Sequence, residues 1–170
     1  MMGSAALLCV ASSLPAAAGI ALDNDSIHTA VDAWLADPTA AEATYGHIST
    51  WETGGVTDMS HLFCVRQDWM EGDSYQGDCV LSTSSFNEDI GAWDSSGVTR
   101  MYGMFFHASS FNQNIGGWSV GNVHEMGQMF NFASSFDQDI GGWRVEQVTD
   151  MHYMFYWASS FNQDLSLIHI

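Results

Sequence analysis

Residues 111–135 read FNQNIGGWSVGNVHEMGQMFNFASS and residues 136–160 read FDQDIGGWRVEQVTDMHYMFYWASS, so the chain repeats itself after 25 positions. Residues 86–110, FNEDIGAWDSSGVTRMYGMFFHASS, are a third copy, and a fourth opens at Phe161-Asn162-Gln163-Asp164-Leu165. Fixed positions carry Ile90/Ile115/Ile140, Trp93/Trp118/Trp143, Val98/Val123/Val148, Met101/Met126/Met151, Met104/Met129/Met154, Phe105/Phe130/Phe155 and Ala108/Ala133/Ala158. A unit this short cannot bury a tryptophan, two methionines and several phenylalanines alone. Neighbouring units must therefore stack and share one continuous core.

Within a unit, Val98, Met101, Met104, Phe105 and Ala108 stand at helical intervals, whereas Phe111-Asn112-Gln113-Asn114-Ile115 is short, amide-rich and followed by two glycines. This predicts an α/β fold: a leucine-rich-repeat-like, right-handed solenoid with one short strand and one helix per 25-residue repeat. A parallel β-helix is the alternative, weakened by the helical intervals.

Working outward, an earlier partial copy is legible in His47-Ile48-Ser49-Thr50-Trp51, Val56-Thr57-Asp58-Met59 and Leu62-Phe63. Between Phe63 and Phe86 lie 22 residues where later copies have five, so residues 64–85 hold an insertion. Its Arg66, Asp68, Trp69, Glu71, Asp73 and Asp78 make it polar. Before the repeats, residues 23–46 form a helical N-terminal cap: Ile27, Ala30, Val31, Trp34 and Leu35 share a helix face, Ser26 is the expected N-cap, and Asp37-Pro38 separates a second short helix ending at Gly46. Residues 1–18 are uncharged and end in Ala16-Ala17-Ala18, as a signal peptide does, although no Lys or Arg stands near their start. Residues 166–170 leave the repeat pattern, with Ile168 where a tryptophan belongs, so the last coil is expected to be uncapped and prone to self-association.

Removal of the signal would take Cys9 away and leave Cys64 and Cys79 as an even pair in an oxidising compartment. A disulfide closing the insertion is expected; a zinc site would lack further cysteines.

Composition narrows the function. The formal charge is −17, from 20 acidic and 3 basic residues, with no lysine. Nucleic acid and anionic membrane surfaces, which select basic proteins, are excluded as partners. His124-Glu125 lacks the second histidine of a zinc-protease helix because Gln128 stands there, and no Gly-x-Ser-x-Gly elbow surrounds the repeated serines. The methionines, at core spacing, read as packing. No cofactor and no enzyme activity is expected.

The candidate binding residues fall in two columns that stacking would align: Asn87, Asn112, Asp137 and Asn162, and Asp89, Asn114, Asp139 and Asp164. Such columns could engage a ligand, with weak calcium binding possible, or satisfy turn backbone from one unit to the next. Phe106/Asn131/Tyr156 and His107/Phe132/Trp157 vary between copies, and Asn24-Asp25-Ser26 is a glycosylation sequon.

The pattern FDQDIGGW…VTDMHYMFYWASS resembles the repeat of BspA-like leucine-rich-repeat surface proteins, a bacterial surface-lipoprotein repeat, over about residues 47–165. The resemblance implies a secreted or cell-surface module that binds an extracellular protein or a glycan, with no catalytic residues to carry over. A structural spacer within a longer surface or wall protein is the alternative. One departure is the lack of a lipobox, since Leu8 precedes Cys9.

Overall fold

The computed structural model of the chain describes residues 19–65, 79 and 85–166. The expected signal peptide (1–18), nearly all of the insertion (66–78 and 80–84) and the tail at 167–170 lie outside those residues.

The chain enters through β1 (Ala21–Asp23), which leads directly into helix α1 (Asn24–Ala36). Asp23 is the N-cap, one turn earlier than Ser26. Its carboxylate accepts the Ser26 N–H at 3.0 Å, while the Ser26 hydroxyl accepts the Asp23 N–H at 2.9 Å. Serine thus fills the reciprocal role that glutamate usually has in a capping box. Ile27, Ala30, Val31 and Trp34 form the buried face. Asp37 stops α1 and then caps α2 (Pro38–Tyr45) by accepting the Ala40 N–H, with Pro38 in the first turn, where no donor is missed. After a 3-10 turn at Ile48–Thr50, β2 (Glu52–Gly55) pairs in parallel with β1. The helices cover the first tryptophan of the repeats, Trp34 meeting Trp51 edge-on at 6.0 Å.

Beyond β2 the repeat units lie one on another in register. Phe63, Phe105, Phe130 and Phe155 stack nearly parallel at 5.5, 5.6 and 5.5 Å. Phe86, Phe111, Phe136 and Phe161 form a second column at 6.0, 6.0 and 5.9 Å. The columns interlock, because Phe105 meets Phe111 at 3.9 Å and Phe63 meets Phe86 at 4.0 Å. The insertion between Phe63 and Phe86 therefore leaves the register unbroken. A third column comes from tryptophan: Trp93, Trp118 and Trp143 are buried, and their Nε1–H groups donate to the carbonyls of Ile48, Ile90 and Ile115 in the preceding unit. Burying an indole without a partner for its N–H would forfeit a hydrogen bond to water, which explains why these two residue types recur together.

The helix expected over Val98–Ala108 does not form. The N–H groups of Met101, Gly103, Phe105 and His107 donate to Glu125, Gly127, Met129 and Asn131 of the next unit, at 2.8–2.9 Å. Those of Met104, Phe106 and Ala108 instead close turns onto Met101, Gly103 and Phe105, three residues back. The segment is a chain of tight turns with alternate amides aimed along the stack. In an α-helix every amide is spent inside the helix and none reaches a neighbour. Two positions per unit are left-handed: Gly103, Gln128 and Tyr153 at one, His107, Phe132 and Trp157 at the other, with φ of 53–58°. Neither can belong to a right-handed helix.

The strand expected at Phe111–Ile115 is also displaced. Parallel bridges occur instead at single residues, Asp58 with Arg100, Arg100 with Glu125 and Glu125 with Asp150. The amide-rich stretch is joined to its neighbours through side chains. Where the chain turns away from it, Gly91 is required by close approach, since a Cβ there would lie 2.6 Å from the Asn114 carbonyl oxygen.

Candidate functional site

The two candidate columns have different jobs. Asn87 Oδ1 accepts the Asn112 N–H at 2.8 Å, Asn112 Oδ1 accepts the Asp137 N–H at 2.9 Å, and Asp137 Oδ1 accepts the Asn162 N–H at 2.9 Å. Gln113, Gln138 and Gln163 run alongside, donating Nε2–H to the carbonyls of Asn87, Asn112 and Asp137. This column is an amide ladder that staples unit to unit. The Gln163 side chain and then the Asn162 N–H hold the Asp137 carboxyl below its usual range.

The second column acts within each unit. Asp89, Asn114, Asp139 and Asp164 accept, through Oδ1, the N–H two residues on: Gly91, Gly116, Gly141 and Ser166. All four are exposed. Among the described residues no group of three or more His, Cys, Asp or Glu side chains is placed to hold a metal ion.

A third surface, missed by the sequence reading, gathers the outward residues around the bridge column. Arg100 contacts Glu125 through Nε and Nη2, both at 3.0 Å, and Asp58 at 3.8 Å. Asp150 binds His152 Nδ1 at 2.6 Å, and the His152 N–H and side chain hold its carboxyl below the usual range. Gln128 Nε2 donates to the Tyr102 hydroxyl at 2.7 Å, and the Tyr102 and His152 rings lie 5.7 Å apart. They approach across Gly127, where a Cβ would fall 2.8 Å from the His152 ring and 3.0 Å from that of Tyr102. The signal in the sequence was the pair of positions after each Val-x-x-Met motif, Ser60/Tyr102/Gly127/His152 and His61/Gly103/Gln128/Tyr153, which differ in every unit.

Where this face meets α1 a cleft of about 620 Å³ opens. His28 and Asp32 form its helical wall, Asp58, Ser60 and His61 come from the first unit, and Arg100 and Tyr102 from the second. The His61 and Tyr102 rings pack edge to face at 5.4 Å.

Other singled-out residues are structural. His107 is 7% exposed, stacks on Phe132 at 4.3 Å, and is pushed down by burial to a pKa of about 4. Asn24 of the sequon donates Nδ2–H to Thr57 Oγ1 and accepts the N–H groups of Thr57 and Asp58 on Oδ1, tying α1 to the first unit. The nitrogen a glycan would need is engaged in the fold. Cys64 and Cys79 are joined in a disulfide. Among the described residues no helix is long and apolar enough to cross a membrane.

Stacked turn units with a repeated core and a face that changes from unit to unit define a repeat protein. The chain belongs to the family described as Mycoplasma protein of unknown function, DUF285, which it matches over residues 37–72 and 78–169. Comparison with the curated proteins and with the solved structures gives no match.

Proposed function

We propose that the chain is a non-catalytic recognition module, secreted or displayed at a cell surface, that binds an extracellular protein or a glycan. The observation that carries this reading is the division of labour between positions. The residues that repeat are buried, bonded to the next unit or, as with Asp89, Asn114, Asp139 and Asp164, committed to a turn of their own unit, whereas the outward residues beside the bridge column differ in each unit. Side chains that vary on a rigid scaffold are a means of recognition rather than of stability. A disulfide is at home in an oxidising compartment, which supports the extracellular setting. Metal has at most a minor role: with Oδ1 committed to its turn, each aspartate of the second column offers an incomplete oxygen cage for calcium.

The test is capture of extracellular proteins and a glycan array, probed with the intact domain and with a Tyr102→Ala, His152→Ala, Tyr153→Ala variant. Loss of a captured partner with an unchanged melting temperature supports recognition. Capture of no partner by the intact domain favours the spacer role, and retention of every partner by the variant moves the binding face to Asp89, Asp139 and Asp164. Tyr153, Tyr156 and Trp157 are 63%, 50% and 63% exposed. Self-association would act through the last coil, which carries these rings, and light scattering of a Tyr156→Ser, Trp157→Ser variant reads it.

A further inference from the structure

Resting on that recognition reading, we infer that the cleft between α1 and the first two repeat units receives a lysine or arginine side chain presented by a basic protein partner. Two carboxylates line it, Asp32 with no charged partner among the described residues and Asp58 with Arg100 at the longer distance of 3.8 Å. The exposed Asp32 side chain makes no hydrogen bond or ion pair among the described residues. Asp58 Oδ1 accepts the Ser60 N–H at 2.9 Å, while its Oδ2 meets Arg100 only at 3.8 Å. Arg100 turns its nearer contacts to Glu125 instead, at 3.0 Å. A cation entering the cleft therefore meets acceptors on both walls, at the positions of Asp32 and Asp58.

The remaining lining fits the same occupant. Tyr102 lines the cleft, and a guanidinium or ammonium over the face of a tyrosine ring gains a further attraction. The long-range field decides among ligand classes. A chain of formal charge −17 draws cations toward any concave carboxylate site and repels anions, whereas a neutral glycan gains nothing from that field.

The experiment titrates a hexa-arginine peptide and, separately, a panel of neutral oligosaccharides into the intact disulfide-bonded chain, following backbone amide shifts at low and high salt. The peptide is expected to shift the amides of Asp32, Asp58 and Tyr102 and to weaken steeply with salt. In Asp32→Asn with Asp58→Asn the peptide Kd should rise by about tenfold or more. The control is Glu42→Gln with Glu88→Gln, which removes the same charge from exposed sites outside the cleft and should change Kd by less than about threefold. Equal weakening in both pairs would mean that only net charge attracts the peptide, and would overturn the inference. Oligosaccharides shifting these amides while hexa-arginine does not would make the cleft a glycan site and overturn it equally. Should Asp58→Asn disturb the Ser60 turn, Asp32→Asn alone serves, because that side chain holds nothing in the fold. Partner capture that survives the cleft variants but fails in the Tyr102/His152/Tyr153 variant would leave recognition standing and remove only the cleft.

Discussion

Asn112 holds two units together with one side chain, its Oδ1 accepting the Asp137 N–H and the Gln138 Nε2–H, both at 2.9 Å. Asn112→Leu should cost about 1–3 kcal/mol by stranding those donors, whereas Asn112→Asp should be nearly neutral in urea unfolding, since Asp137 fills the same role one unit on. His107 supplies the clearest pH dependence. Its folded pKa, about 4, lies below the ordinary 6.5, so the unfolded chain takes up the proton first. The stability this neutral, buried ring contributes is complete above pH 6.5 and disappears as the pH falls to about 4, a swing of roughly 3 kcal/mol by linkage. His107→Phe, which copies Phe132, should flatten thermal stability across that window. A wild-type profile already flat between pH 6.5 and 4 would refute the assignment. Asp137 and Asp164, held below the usual 3.8 by their amide and hydroxyl partners, add a loss that begins only in stronger acid.

At the scale of elements, some features were legible and others were not. The capped helix before Pro38 follows from Ile27, Ala30, Val31 and Trp34, because a lone amphipathic stretch with a stop signal has few alternatives. The interval from Val98 through Met101, Met104 and Phe105 to Ala108 misleads because turns closed three residues back reproduce the same spacing as a helix. The deciding property is the left-handed backbone at His107, Phe132 and Trp157, and a bulky residue does not announce it in sequence as a glycine would. The asparagine column reads equally as ladder or as ligand site in the sequence, because both uses select the same residue. Glycines test the unit-to-unit contact directly. Gly91→Ala should destabilise by about 1–3 kcal/mol, since its Cβ would press on the Asn114 carbonyl. Gly117→Ala should be harmless, because nothing lies within 4 Å and the preceding unit already carries Ala92 there. Equal melting temperatures for the two variants would show that the units do not approach as described.

The whole molecule is a stack in which neighbours are linked by backbone bonds, ring columns and tryptophan donors, so stability should rise and fall by units. Phe130→Ala in the middle of a ring column should cost about 3–5 kcal/mol, measured by chemical denaturation. The Cys64–Cys79 bond closes a loop with a sequence separation of 15, and its removal as a Cys64→Ala, Cys79→Ala pair should cost about 3 kcal/mol in the chain-entropy view. Because alternate amides from Met101 to His107 point at the next unit, the stack also has a mechanical character. Pulled from its two ends, it should yield by peeling, one row of bonds at a time, rather than by shearing all rows together. Each unit that lets go releases 25 residues of slack, about 85 Å of extended chain. A force trace should therefore advance in even strides, except at the first unit, where the disulfide withholds its loop until a reductant is added.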